Sequence, residues 1–157
     1  MQKPNIYKFP NQTDPKRFFA KAGWVYVLGN GHMPDLYKVG RTTGSIKVRM
    51  SQLFTTGVPM PFDCMFAEWF ADCSAAEEFI HHYLEEWRIE FNREFFGADL
   101  TTIQHAFMSY SAIGESIPDF VVDLYTMRRR QAESNERVNG VLVARNKRTS
   151  ACMEAPF

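Results

Sequence analysis

Cysteine is scarce in this sequence, and its spacing builds nothing. Cys64, Cys73 and Cys152 are odd in number, and no CxxC pair or Cys/His cluster occurs. That argues against a disulfide scaffold or a cysteine zinc site and suits free thiols in a reducing compartment. Net charge is lacking too. Eighteen Lys and Arg balance eighteen Asp and Glu, so no uniform field draws a polyanion to the whole chain. No apolar run approaches the roughly 20 residues of a membrane-spanning helix. The early charges are not followed by the apolar core of a secretory signal. Repeats and low-complexity tracts are absent as well. The expectation is a cytoplasmic protein with no membrane partner, close to the nucleoid if it binds DNA.

Aromatic residues, by contrast, are plentiful. Fourteen Phe, six Tyr and three Trp in 157 residues can fill a sizeable core without disulfides or a structural metal. The length suits one domain with extensions. Charge is also segregated. Residues 1–21 hold five basic side chains and one acidic. Residues 22–100 hold six basic and eleven acidic, and residues 128–157 hold seven basic and three acidic. Basic ends around an acidic middle are compatible with nucleic-acid-binding arms, and equally with tails that are merely solvated.

Taken in order, residues 1–22 read as an irregular lead-in, with a short helix at Pro15–Lys21 that Asp14 could cap. Its aromatics Tyr7, Phe9, Phe18 and Phe19 could anchor it to the domain or stack on bases. Trp24–Leu28 and Leu36–Gly40 read as two antiparallel strands joined by a Gly-, Asn- and Pro-containing loop. Ser45 is the expected cap of a helix from Ile46 to Phe54. Phe62–Phe70 reads as a third strand. Ser74 is the expected cap of a helix to about Trp87, with Glu77 as its capping-box partner. Phe79, Ile80, Tyr83, Leu84 and Trp87 give that helix an apolar face. Arg88–Gly97 reads as irregular, followed by helices over Asp99–Tyr110 and Pro118–Arg130 and a flexible basic tail. The fold expected is α+β: a small three-stranded antiparallel sheet flanked by helices, with extra helices after it. The divisions expected are a lead-in (1–22), a core domain (23–100), a helical extension (101–130) and a tail (131–157).

Tyr26, Lys38, Arg41, Arg49 and Glu94 are the side chains able to act together. Taken singly, each has an ordinary explanation. A strand tyrosine packs, a strand lysine blunts an edge, a helix arginine lays its stem on apolar surface and a loop glutamate faces water. Tyr26 and Lys38 sit on adjacent strands and could share a sheet face. His81 and His82 lie about 100° apart around a helix, so only one can point inward. His81 is on the apolar side, where a histidine is more often satisfied by the core than used as a ligand.

The order of motifs adds what single residues do not. Val25-Tyr26-Val27-Leu28, then Leu36-Tyr37-Lys38-Val39-Gly40-Arg41-Thr42, then Arg49, resembles the GIY-YIG nuclease core, and more closely its T5orf172 or Mug113-type branch. Thr56-Gly57-Val58-Pro59 with Pro61-Phe62, the helix holding Ala76-Glu77, Ile80-His81, Leu84 and Arg88, and Arg93-Glu94-Phe95-Phe96 are similar to later segments of that branch. The resemblance covers about residues 23–97. Trp24 stands where the family's first motif has glycine, and Lys38 where most members have a second tyrosine. The asparagine found late in many members has no clear equivalent.

The resemblance implies a metal-dependent endonuclease or nickase acting on DNA. Glu94 would hold a single Mg2+ or Mn2+, and one carboxylate suits an ion that keeps most of its waters. Tyr26 would accept a proton from the attacking water, with nearby cations helping it to ionise. Lys38, Arg41 and Arg49 would brace the phosphate, and His81 would support the site. A homodimer is compatible, since one site cuts one strand. A short chain of this kind suits a phage, a mobile element or a restriction-like system. The alternative is a catalytically weak or inactive DNA-binding module on the same fold. A third reading is a protein-interaction scaffold using the acidic helix face of Glu78, Glu85 and Glu86.

Overall fold

The computed structural model of the chain describes residues 18–113 and 117–142. Its centre is strand β1 (Gly23–Gly29), buried along its whole length. Strand β2 (Tyr37–Thr42) pairs with it on one side and strand β3 (Asp63–Phe70) on the other, both antiparallel. A fourth strand, β4 (Phe95–Phe96), pairs with the outer edge of β2 and completes the order β3-β1-β2-β4. The sheet thus has four strands rather than the three expected. Two residues are too few for any alternation to show in sequence, and β4 lies between the edge offered by Tyr37 and Lys38 and a bridge from Arg88 to Phe96.

A strand buried on both faces needs a cover on each. Val25 and Val27 point into a core closed by helix α2 (Cys73–Tyr83) and helix α3 (Leu100–Ile113), through Ala76, Ile80, Ile103 and Phe107. Trp24, Tyr26 and Leu28 point the other way, against helix α1 (Ile46–Leu53), Phe18, Phe19 and the region of helix α4 (Val122–Val138). A single 3-10 turn, Asp119–Val121, leads into α4, and Val121 is buried in that second core, which also holds Trp24 and Trp69. Phe18 and Phe19 are themselves buried in the second core. Tyr7, Phe9, Asp14, the first three residues of the Pro15–Lys21 segment, Cys152 and the rest of residues 143–157 lie outside the described residues.

Several boundaries differ from the expectation for physical reasons. Asp72, not Ser74, caps α2, accepting from Ala75 N at 3.0 Å. The helix stops at Tyr83, and Glu85–Trp87 forms a separate 3-10 turn. Ser45 occupies the cap position of α1 without making a side-chain cap bond. Its place is taken from afar: Glu136 Oε1 on α4 accepts from Ile46 N at 2.9 Å. Helix α4 runs to Val138, past the expected end at Arg130, carried by Glu133 pairs with Arg129 and Arg137. Among the described residues no helix is long and apolar enough to cross a membrane.

Candidate active site at the outer edge of β2

The strand register decides which side chains meet. It sets Leu28 opposite Lys38 and Tyr26 opposite Gly40. Directly opposed residues share a face, so Tyr26 and Lys38 project from the same one. Tyr37, one residue earlier, projects to the other face and packs on the core of Val25 and Val39. Lys38, not Tyr37, is therefore the side chain of this motif on the Tyr26 side. Gly40 makes room for the tyrosine. A Cβ there would lie 2.5 Å from Tyr26 Oη and 2.7 Å from Cζ, closer than real Cβ contacts come. From α1, Arg49 Nε donates to Tyr26 Oη at 3.4 Å.

Glu94 arrives from the stretch just before β4. Val39 N donates to its backbone carbonyl at 3.1 Å, and Lys38 Nζ donates to its Oε2 at 2.9 Å. That ammonium also lies 5.4 Å from the centre of the Phe95 ring. The loop carrying Glu94 is tied down by Arg88, which stacks on Phe96, pairs with Glu85 and donates to the Arg93 carbonyl. Ile89 N donates to Phe95 O at 3.1 Å and Gly97 N to Trp87 O at 2.8 Å, closing the same loop from both ends.

The opposite face of the sheet sends α2 to the same edge. His81 Nε2 donates to the Val39 carbonyl at 2.7 Å. A carbonyl can only accept, so the proton sits on Nε2 and a neutral ring keeps a lone pair on Nδ1. Nδ1 lies 3.8 Å from Glu77 Oε1, one helical turn away. Arg41 points to this side and not to Tyr26. Its Nη1 is 3.4 Å from Ser74 Oγ and 3.9 Å from Glu77 Oε2. Arg41, Ser74, Glu77, His81 and Arg88 help line a cleft of about 380 Å³. His82, the neighbouring histidine, is exposed.

Burial and charge tune these groups in opposite directions. Burial pushes the Glu77 carboxyl up to about 7, with the Glu94 charge adding to it and Arg41 and Lys38 opposing. For Glu94, burial acts upward, but the Lys38 hydrogen bond and charge, with Arg49 adding to them, outweigh it and hold the carboxyl below its ordinary value. Burial lowers His81, against the pull of the Val39 carbonyl and Glu94. Tyr26 is raised, because burial outweighs the Arg49 hydrogen bond and charge, and Glu94 and Glu77 push the same way as burial. The cations near Tyr26 thus offset its burial without reversing it.

The structure therefore gathers Tyr26, Lys38, Arg49 and Glu94 into two linked pairs at one edge, with His81 beside them and Arg41 on the far face. It also adds Glu77, which the sequence reading spent on a capping box. Its i,i+4 spacing to His81 was the available signal. One ligand atom from each of Glu77, His81 and Glu94 lies within 4.8 Å of the others, so the donor set fits a divalent cation.

A family model for the T5orf172 domain matches residues 23–110, the stretch that holds every residue of this site. No curated protein and no solved structure matches the chain.

Proposed function

Because the chain belongs to the T5orf172 domain family, we propose that it is a metal-dependent endonuclease that nicks DNA by phosphodiester hydrolysis. The observation that carries this reading is the convergence of Tyr26, Lys38, Arg49 and Glu94 at one edge of the sheet. Glu94 is the group that would hold the ion, Mg2+ or Mn2+, with its carboxylate kept ionised by Lys38. When bound, such an ion supplies charge to the phosphoryl oxygens and to the leaving group. Arg49 and Lys38 have the charge and the reach to brace the phosphate, the arginine through its planar fork. Tyr26 is the candidate proton acceptor for the attacking water. His81 fixes α2 against β2 through the Val39 carbonyl, and Arg88 positions the Glu94 loop.

Incubation of supercoiled plasmid with the protein and Mg2+ or Mn2+ tests the reading. The expected product is nicked circle, and Glu94→Ala is expected to lower the rate by at least the roughly 10²–10³-fold lost with one preorganised electrostatic group. An uncut plasmid, or equal cutting by the variant, would falsify it. A second reading has its own observation. Tyr26 is buried with its proton held tightly, and Lys38 is engaged by Glu94. A weak or silent DNA-binding module would share those features. It would shift DNA in a gel in EDTA, with affinity falling steeply as salt rises, and would not cut.

A further inference from the structure

Glu94 is one of three ligand-bearing side chains at this edge, and the other two come from the opposite face of the sheet. Glu77 and His81 are both largely buried, with side chains 12% and 13% exposed. Glu77 Oε1 faces His81 Nδ1 at 3.8 Å. The ring's only proton is committed to the Val39 carbonyl. Carboxylate and imidazole thus turn lone pairs toward each other across a gap too long for a hydrogen bond. The backbone bond to Nε2 is the support that metal-ligating histidines ordinarily have, since it sets the tautomer and aims the free nitrogen. Outer oxygens are accounted for as well. Lys38 takes Glu94 Oε2, and Arg41 lies nearest Glu77 Oε2. Two cations thus steady the two carboxylates without filling the space between Glu77 Oε1 and His81 Nδ1.

We propose that Glu77, His81 and Glu94 together form a mixed nitrogen–oxygen site that selects a first-row divalent ion such as Mn2+ over Mg2+. This rests on the nuclease reading only for what the ion does. Binding and selectivity stand on the three side chains alone. Mg2+ is a hard ion that takes oxygen ligands and gives up its waters reluctantly. A neutral imidazole adds little for Mg2+ and much for the transition ions, whose affinity for nitrogen donors rises along the series. A site of one carboxylate would scarcely distinguish the two ions. One that includes His81 Nδ1 does.

The test is direct metal binding by the full chain. Titration with Mn2+, followed by the electron paramagnetic resonance of the free ion, is expected to show one site. Competition is expected to show Mn2+ bound at least about tenfold tighter than Mg2+. In His81→Gln the Mn2+ affinity is expected to fall about tenfold or more while Mg2+ affinity changes little, which erases the selectivity. Equal loss for both ions, or no loss, overturns the role of His81. Glu77→Gln is expected to weaken both ions. Pulsed resonance on the wild type does not depend on any variant folding. Mn2+ bound at His81 shows coupling to a directly bonded 14N nucleus, and its absence overturns the proposal. The two readings fail separately. Selective Mn2+ binding with no nicking sinks the nuclease and leaves the site. Nicking supported equally by Mg2+, with no 14N coupling, sinks the site and leaves the nuclease.

Discussion

Tyr26 is the residue on which the proposed chemistry turns. Its hydroxyl sits over Gly40, takes a hydrogen bond from Arg49 and is buried. Because burial raises its pKa above the ordinary tyrosine value, tyrosinate is a small minority species near neutrality. If tyrosinate is the proton acceptor, the nicking rate with Mg2+ is expected to climb about tenfold per pH unit from 7 to 9, with no plateau, as that minority grows. A flat profile over that range would assign the proton to another group. Neighbouring residues show how narrowly sequence can speak at this scale. Lys38 and Tyr37 are adjacent, yet one faces Tyr26 and the other fills the opposite core, and only the strand register separates them. The alternation of a strand made their separation readable. Glu77 was harder, since a glutamate three residues after a serine reads as a cap partner as readily as a ligand, and Asp72 took the cap.

Among the elements, α1 and α4 are joined by a bond that no local pattern announces. Glu136 is 2% exposed and accepts from the first amide of α1 across 90 residues of chain. Its other oxygen, Oε2, has no hydrogen-bond partner among the described residues. An acceptor at a helix start satisfies an amide that would otherwise be orphaned. Glu136→Ala is expected to cost about 1–3 kcal/mol by leaving that amide buried and unpaired. Glu136→Gln, which keeps the acceptor and removes an unpartnered charge-bearing oxygen, is expected to cost less. The denaturant midpoints of both variants check this ordering. Elements with a full hydrophobic period, β1, β2, β3, α1 and α2, were legible in the sequence. The two-residue β4 and the last turns of α4 were not. One has no room for a period, and the other is polar on most sides and held by Glu133, Arg129 and Arg137.

At the scale of the whole molecule, the sheet is a wall between two cores, and each needs its own cover. Trp24 and Trp69 are 3% and 7% exposed under the α4 side, and the Tyr125 ring of α4 packs at a tilt against Trp69, their centres 5.5 Å apart. A chain ending at residue 116 is expected to expose both indoles. Its tryptophan emission should shift to the red, it should bind ANS, and its melting temperature should fall. Unchanged emission would mean that α4 is dispensable as a cover. The candidate site sits across this wall, with Tyr26, Lys38 and Arg49 supplied from one side and Glu77, His81 and Arg41 from the other, and Glu94 reaches it from the residue just before the short strand that closes the edge. Neither half alone holds a complete set. If the chain cuts DNA as proposed, the arrangement is a safety catch: a copy still emerging during synthesis, or one partly melted, carries the components of the site on separate pieces and stays harmless until both halves have closed on the same sheet.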